Sequence, residues 1–185
     1  MQGVGFRPFV YQLALANQLN GWVLNGNDGV HIEINASEDI AQGFLKQLLA
    51  SAPPLCKIQH YSLAKVNDQS YQDFAIIEST ANGHAGMMIT PDYALCENCR
   101  AEMLDPKNRR YRYPFITCTH CGPRYSIIQQ LPYDRPNTGM VGFNQCKSCA
   151  AEYNDPLNRR HYSQTNSCAI CGIELLVWED GIWQT

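Results

Sequence analysis

Two groups of residues in this sequence are spaced for chemistry. The first is the opening stretch "MQGVGFRPFVYQLA", where Gly3 and Gly5 flank Val4 and lead into Phe6, Arg7 and Pro8. Glycine adopts left-handed backbone conformations at no steric cost, so N–H groups on either side can converge into an anion-binding nest. A helix-like pattern follows, and its positive end would point at the same spot. Arg7, at that helix start, can grip two oxygens of a phosphate at once. The spacing is not that of a P-loop, which needs four residues between its glycines and then Gly-Lys-Ser/Thr. A plain turn with a surface arginine is the competing reading.

The second group is eight of the nine cysteines, which form four Cys-x-x-Cys pairs and leave Cys56 over. Cys96, Cys99, Cys118 and Cys121 make one C-x2-C-x18-C-x2-C set, and Cys146, Cys149, Cys168 and Cys171 repeat it fifty residues later. Two such hooks supply four soft ligands to a tetrahedral Zn2+ and leave no open position for water, which marks a structural site. Two structural zinc ions are therefore expected, each folding a module too small to have its own core. Reactive redox pairs are the alternative, disfavoured because the pairs come in two matched sets. His120 and His161 are not expected as ligands, since four cysteines saturate each site.

The repeat extends beyond the cysteines. Glu102, Asp105-Pro106 and Asn108-Arg109-Arg110 return as Glu152, Asp155-Pro156 and Asn158-Arg159-Arg160. Asp-Pro is expected to start a turn. The four arginines are expected to pack or to bond carbonyls, and no aromatic platform of the kind that binds single strands accompanies them.

The elements that would carry the glycine loop lie ahead of the repeat. Phe9, Val10, Leu13, Ala14, Ala16 and Leu19 recur at helical spacing, and Asn20-Gly21 should end that helix. "WVLN" reads as a strand, "GNDG" as a hairpin turn and "VHIEINA" as a half-buried strand. Ser37 should cap a helix with Ile40, Phe44, Leu45, Leu48 and Leu49 on one face, ended by Pro53-Pro54. "KIQHYSLAKV" (57–66) and "DFAIIES" are strand candidates. With one strand in front, the order is βαββαβ, an α+β ferredoxin-like sandwich whose first strand is missing from the sequence. The expected division is 1–79 for this domain, 80–95 for a linker, 96–135 for the first zinc module, and 136–185 for the second module and tail.

"QGVGFRPFVYQLA" together with "LNGWVLNGNDGVHIEI" resembles the acylphosphatase signature. That resemblance implies a phosphate loop made of Gln2, Gly3, Val4, Gly5, Phe6 and Arg7, with Arg7 catalytic. Asn25, eighteen positions on, would be the second catalytic residue, holding water in line with phosphorus. "TPDYALCENCRAE" and "YPFITCTHCGPRY" extend the likeness over nearly the whole chain to the N-terminal part of the HypF family, the carbamoyltransferases of NiFe-hydrogenase maturation. This implies carbamoyl phosphate or another acyl phosphate as substrate. It also implies a HypE-like partner whose cysteine receives the carbamoyl group after ATP-dependent activation, by domains beyond Thr185. A fragment, or a misplaced start with Met1 internal, is the expectation that follows.

Composition narrows the classes. No apolar run is long enough to span a bilayer and no signal peptide is read, so the cytoplasm is the expected address. Up to Pro91 four Lys/Arg face seven Asp/Glu, whereas from Cys96 to Cys171 ten face six. The cysteine half could thus face an anionic partner, but its arginines have the structural reading above and the whole chain carries a net charge of −3, so nucleic acid is not the expected partner. The rival reading is a non-catalytic zinc-binding module that contacts protein or nucleic acid; a plain acylphosphatase would have no use for the cysteine repeats.

Overall fold

A computed structural model describes residues 3–26, 28–67, 69–79 and 90–184. The first half opens with helix α1 (Phe6–Ala16), strands β1 (Gly21–Asn25) and β2 (Val30–Ile34), helix α2 (Glu38–Ser51) and strand β3 (Phe74–Ile76). β1 is central, antiparallel to β2 and parallel to β3. Val10 and Ala14 of α1 meet Phe44 and Leu48 of α2 over Val23 and Phe74 of the sheet, with Leu19 closing the cluster. The apolar periodicities of the two helices thus bury onto one face of the sheet, as the sandwich requires.

Two local features differ from the sequence reading. α1 ends at Ala16, not at Asn20-Gly21. Its last carbonyls are taken by Gln18 N–H on Leu15 and Leu19 N–H on Ala14, a Schellman closure with Gln18 at φ 55 in the left-handed position. Gly21 instead opens β1, where a Cβ would stand 1.9 Å from the Glu33 carbonyl oxygen. Ser37 occupies the N-cap of α2 as expected, but its hydroxyl makes no capping bond.

The larger difference is the segment 57–66, which forms no strand. In the ferredoxin-like order its pairing partner is a central strand ahead of α1, and the described residues contain none. β2 is left with an open edge for the same reason. Tyr61, Leu63 and Val66 consequently lie exposed. Strand propensity has no effect without a ladder to join.

The cysteine half is built as two copies. Helices α3 (Glu97–Leu104) and α4 (Lys147–Asn154) begin at N-cap cysteines Cys96 and Cys146 and end at Asp105 and Asp155, whose φ,ψ pairs are −84,112 and −83,111. Each aspartate then accepts the N–H two residues on, from Lys107 and Leu157, as the Asp-Pro turn requires. Of the expected linker 80–95, residues 80–89 lie outside the described residues. Residues 90–95 are built into the first module: Tyr93 pairs with Gly122, and Asp92 accepts from the Arg124 and Ser126 amides. A short hairpin of β4 (Val177–Glu179) and β5 (Ile182–Gln184), not anticipated from sequence, ends the described chain. No helix among the described residues is long and apolar enough to cross a membrane.

Candidate active site and metal centres

Gly3 and Gly5 both sit in the left-handed region, at φ 79 and 74. Gly5 is the N-cap of α1, so the amides of the first turn have no acceptor inside the helix. Pro8 has no N–H, which leaves Phe6 and Arg7 as the donors that the turn presents. Parallel pairing of β1 and β3 brings the ends of both strands to this point. Asn25 closes β1, and Ser79 lies just beyond β3.

Arg7, whose side chain is 8% exposed, is fixed on several sides. Nη1 donates to Ser79 Oγ at 3.0 Å and Nη2 to Asp134 Oδ1 at 2.5 Å. Asn25, with its amide turned so that the oxygen meets donors, accepts from Nε at 3.0 Å and Nη2 at 3.3 Å. The guanidinium carbon lies 5.7 Å from the centre of the Tyr162 ring, within cation–π range. A cleft opens beside it, lined by Gly3, Gly5, Phe6, Asn25 and residues of the cysteine half: Thr119, Arg124, Tyr133, Tyr162, Ser163 and Gln164.

That half therefore forms one wall of the site. Arg124 is buried, and all its donors go to main-chain oxygens: Nε to Gly3, Nη1 to Cys121 and Pro123, Nη2 to Cys118 and Thr119. No carboxylate among the described residues forms an ion pair with it, so its charge adds to the field of the cleft without donating into it. The glycines are needed for this packing. A Cβ on Gly3 would stand 2.9 Å from Arg124 Cδ, and one on Gly5 3.1 Å from Thr119 Cβ. α1 docks on the second module as well, through Gln12 Nε2 to the Pro156 carbonyl and Tyr11 edge-on to His161.

Both cysteine groups assemble with the expected membership, Cys96, Cys99, Cys118, Cys121 and Cys146, Cys149, Cys168, Cys171. The sulfurs of each lie within 4.8 Å of one another. Cys96–Cys118 and Cys118–Cys121 are 3.7 and 3.8 Å apart in the first group, and Cys146–Cys168 and Cys168–Cys171 are both 3.8 Å in the second. Four sulfurs about 2.3 Å from a central Zn2+ in a tetrahedron have edges of about 3.8 Å, whereas a disulfide is about 2.05 Å long. The donor sets fit a four-coordinate thiolate-bound metal. His120 and His161 are in neither group. Burial lowers the pKa of His161, which stays among aromatic rings.

The repeated arginines cross between modules. Arg110 of the first gives Nη2 to Glu152 Oε2 at 2.5 Å and Nε to the Ser167 carbonyl; Arg160 of the second gives Nη2 to Glu102 Oε2 at 2.5 Å and Nε to the Thr117 carbonyl. Arg109 donates to Cys149 Sγ and Arg159 to Cys99 Sγ, each at 3.1 Å. Each copy thus carries the outer contacts of the other copy's thiols, in approximate twofold exchange. Burial pushes the Glu152 carboxyl up, but hydrogen bonds from Arg110 and Arg109 outweigh this and hold it down to about 2. Arg160 and Arg159 lower Glu102 against the same opposing burial.

The structure brings Gly3, Val4, Gly5, Phe6, Arg7 and Asn25 together; Gln2 lies outside the described residues. Ser79, Asp134, Arg124 and Tyr162 were not singled out from sequence. Asp134 is 127 positions from Arg7, in the spacer between modules, where no periodicity or motif flags it. Tyr162 shares its left-handed backbone with its repeat counterpart Arg112 (φ 53 and 56), so that strain belongs to the module turn and not to the site.

Known proteins show the same layout. Residues 1–76 match the acylphosphatase family, and residues 95–128 and 146–178 match the HypF finger. The carbamoyltransferase HypF of Synechocystis sp. is 46% identical over 145 residues, 78% of this chain and 19% of that protein. The acylphosphatase of Pseudothermotoga lettingae is 36% identical over 78 residues, 42% of this chain and 86% of that enzyme. A crystal structure of full-length HypF in the phosphate- and nucleotide-bound form matches with a TM-score of 0.89 at 40% identity, covering 98% of this chain and 25% of that one. The chain spans about a fifth of the length of the curated carbamoyltransferases it matches.

Proposed function

The chain belongs to the acylphosphatase family through residues 1–76 and carries HypF fingers after it, matching the N-terminal part of the HypF carbamoyltransferases, and on that premise we propose that it hydrolyses an acyl phosphate, carbamoyl phosphate first among them. The observation that carries this reading is the fixing of Arg7 against Asn25 beside two left-handed glycines. The phosphoryl group sits over the amides of the glycine loop and the α1 start, and Arg7 meets the charge that builds on its equatorial oxygens. Asn25 turns its oxygen to Arg7, which leaves its NH2 to hold a water in line with phosphorus. Attack by that water breaks the bond from phosphorus to the acyl oxygen. Carbamate leaves with the electron pair, and the water proton passes to a phosphoryl oxygen. A carboxylate-type leaving group needs no strong general base, and the described cleft lining offers none.

Two Zn2+ ions, one per tetracysteine group, hold the fingers. With four thiolates each, they act in folding and not in the reaction. In this reading the ATP-dependent activation and the transfer to a cysteine of a HypE-like partner reside in the part of the HypF relatives outside the matched segment, and the reaction runs in the cytoplasm, where free thiols persist. The test is hydrolysis of carbamoyl phosphate in 18O-water. One 18O per phosphate released is expected; unlabelled phosphate would mean attack at the carbonyl carbon and would overturn the mechanism.

A further inference from the structure

The acylphosphatase-family match ends at residue 76, yet the shortest bond to the Arg7 guanidinium comes from Asp134, between the two fingers. Arginine has five N–H groups. Asn25 takes the Nε N–H and one N–H of Nη2, Ser79 takes one of Nη1 and Asp134 the other of Nη2, which fixes the plane of the fork and leaves one Nη1 donor for a phosphoryl group. Asn25 and Ser79 are neutral; Asp134 is the one carboxylate among the described residues that pairs with Arg7.

Asp134 is itself held in place. Its amide donates to the Pro132 carbonyl, and its carbonyl accepts from Asn137. The next residue, Arg135, donates Nη1 to the Gln164 and Asn166 carbonyls and Nη2 to the Phe143 carbonyl, while its amide donates to Gln164 Oε1. The carboxylate is thus mounted on the second finger by a half-buried anchor one residue away, bonded through four donors. It does not line the cleft, so it reaches a bound phosphate only through Arg7.

We propose that Asp134 is a positioning residue for Arg7, supplied by the finger half, and that the acyl-phosphate site is incomplete without it. This rests on the acyl-phosphatase reading above. A guanidinium fixed by the acceptor oxygen of Asp134 presents its remaining Nη1 donor to the transition state without a search, and a misplacement of about 1 Å at such a group costs about 100-fold in rate. The role needs a hydrogen-bond acceptor at Oδ1 more than a charge.

The experiment compares wild type, Asp134→Ala, Asp134→Asn and Arg7→Ala in the 185-residue chain. It reads carbamoyl phosphate turnover and the Arg7 Nε–H signal in 15N–1H spectra, which is assigned by its absence in Arg7→Ala. Asp134→Ala should lower kcat by about 10- to 100-fold with KM changed less than about threefold, and should broaden or shift the Arg7 signal. Asp134→Asn keeps an acceptor oxygen and should recover most of kcat and the wild-type signal. Asp134→Ala with unchanged kcat and an unchanged signal overturns the assignment, and so does an Asn variant as impaired as Ala. Wild-type turnover that survives Arg7→Ala sinks the acyl-phosphatase reading instead; the Arg7 signal then decides on Asp134 alone.

Discussion

Arg110 of the first finger is paired with Glu152 of the second, and the fifty-residue repeat returns the bond as Arg160 to Glu102. The arginine side chains are 2% and 4% exposed, so each guanidinium depends on a carboxylate from the other copy. Glu152→Ala would leave Arg110 buried without its counter-charge, at a cost of about 3 kcal/mol. Denaturant unfolding of the metal-loaded protein should show that loss. Arg110→Met with Glu152→Ala together should recover part of it, because the buried charge goes and only the more exposed Arg109 loses its carboxylate.

Arg109 and Arg159 give a more unusual prediction. Arg109 lies in the first module but donates to Cys149 of the second, and Arg159 does the reverse to Cys99. Outer hydrogen bonds of this kind change metal affinity by about 10- to 100-fold. Arg109→Ala should therefore weaken the metal at Cys146–Cys171 by about 10-fold and leave the first site near wild type. Chelator competition followed by mass spectrometry of alkylated cysteines resolves the two sites. Faster loss from Cys96–Cys121 would contradict the exchange.

Metal removal should also reach the phosphate cleft. Arg124 ties the Gly3 carbonyl to the carbonyls of Cys118, Thr119 and Cys121, so the knuckle that holds the metal also holds the glycine loop. Stripping the first site should weaken binding of inorganic phosphate by about 10-fold or more, as loss of a supporting shell does at other sites. Isothermal titration before and after chelation measures it, with restoration on adding Zn2+.

The sheet offers a separate test. Among the described residues, 57–66 and the outer edge of β2 both have no strand in the place that the ferredoxin-like order puts between them. Extending the N-terminus by about six apolar, β-branched residues should supply it. Amides of 57–66 and alternate amides of β2 should then gain protection from hydrogen exchange, and Tm should rise by several degrees. Unchanged exchange over 57–66 would show that this segment is not a latent strand.

The sequence was legible where a local signal was enough. The periodicity of Val10 and Ala14, the alternation of β2 and the four cysteine pairs each state their own geometry, and the structure assembles both tetracysteine groups as the spacing implies. "KIQHYSLAKV" shows the limit: its pattern is strand-like, but a strand is a property of a pair. The site was half legible. Arg7 stands out by its glycine loop, whereas Asn25, eighteen positions on, is marked only through the acylphosphatase resemblance. Asp134, Arg124 and Tyr162 reach Arg7 or its loop across more than a hundred residues, and contacts at that separation leave no periodic trace. The repeated arginines were read as structural, which their bonds bear out. That each serves the opposite copy could not be read, since an intramodule pair would have produced the same spacing.

The central claim is that Arg7 and Asn25 hydrolyse an acyl phosphate in the cleft between the glycine loop and the fingers. The direct measurement is phosphate release from carbamoyl phosphate by wild type, Arg7→Ala and Asn25→Ala, each with both metal sites filled. Turnover should fall by about 1,000-fold or more without Arg7 and by about 100-fold or more without Asn25, on the scale of losing a transition-state donor. Equal release by wild type and Arg7→Ala would contradict it.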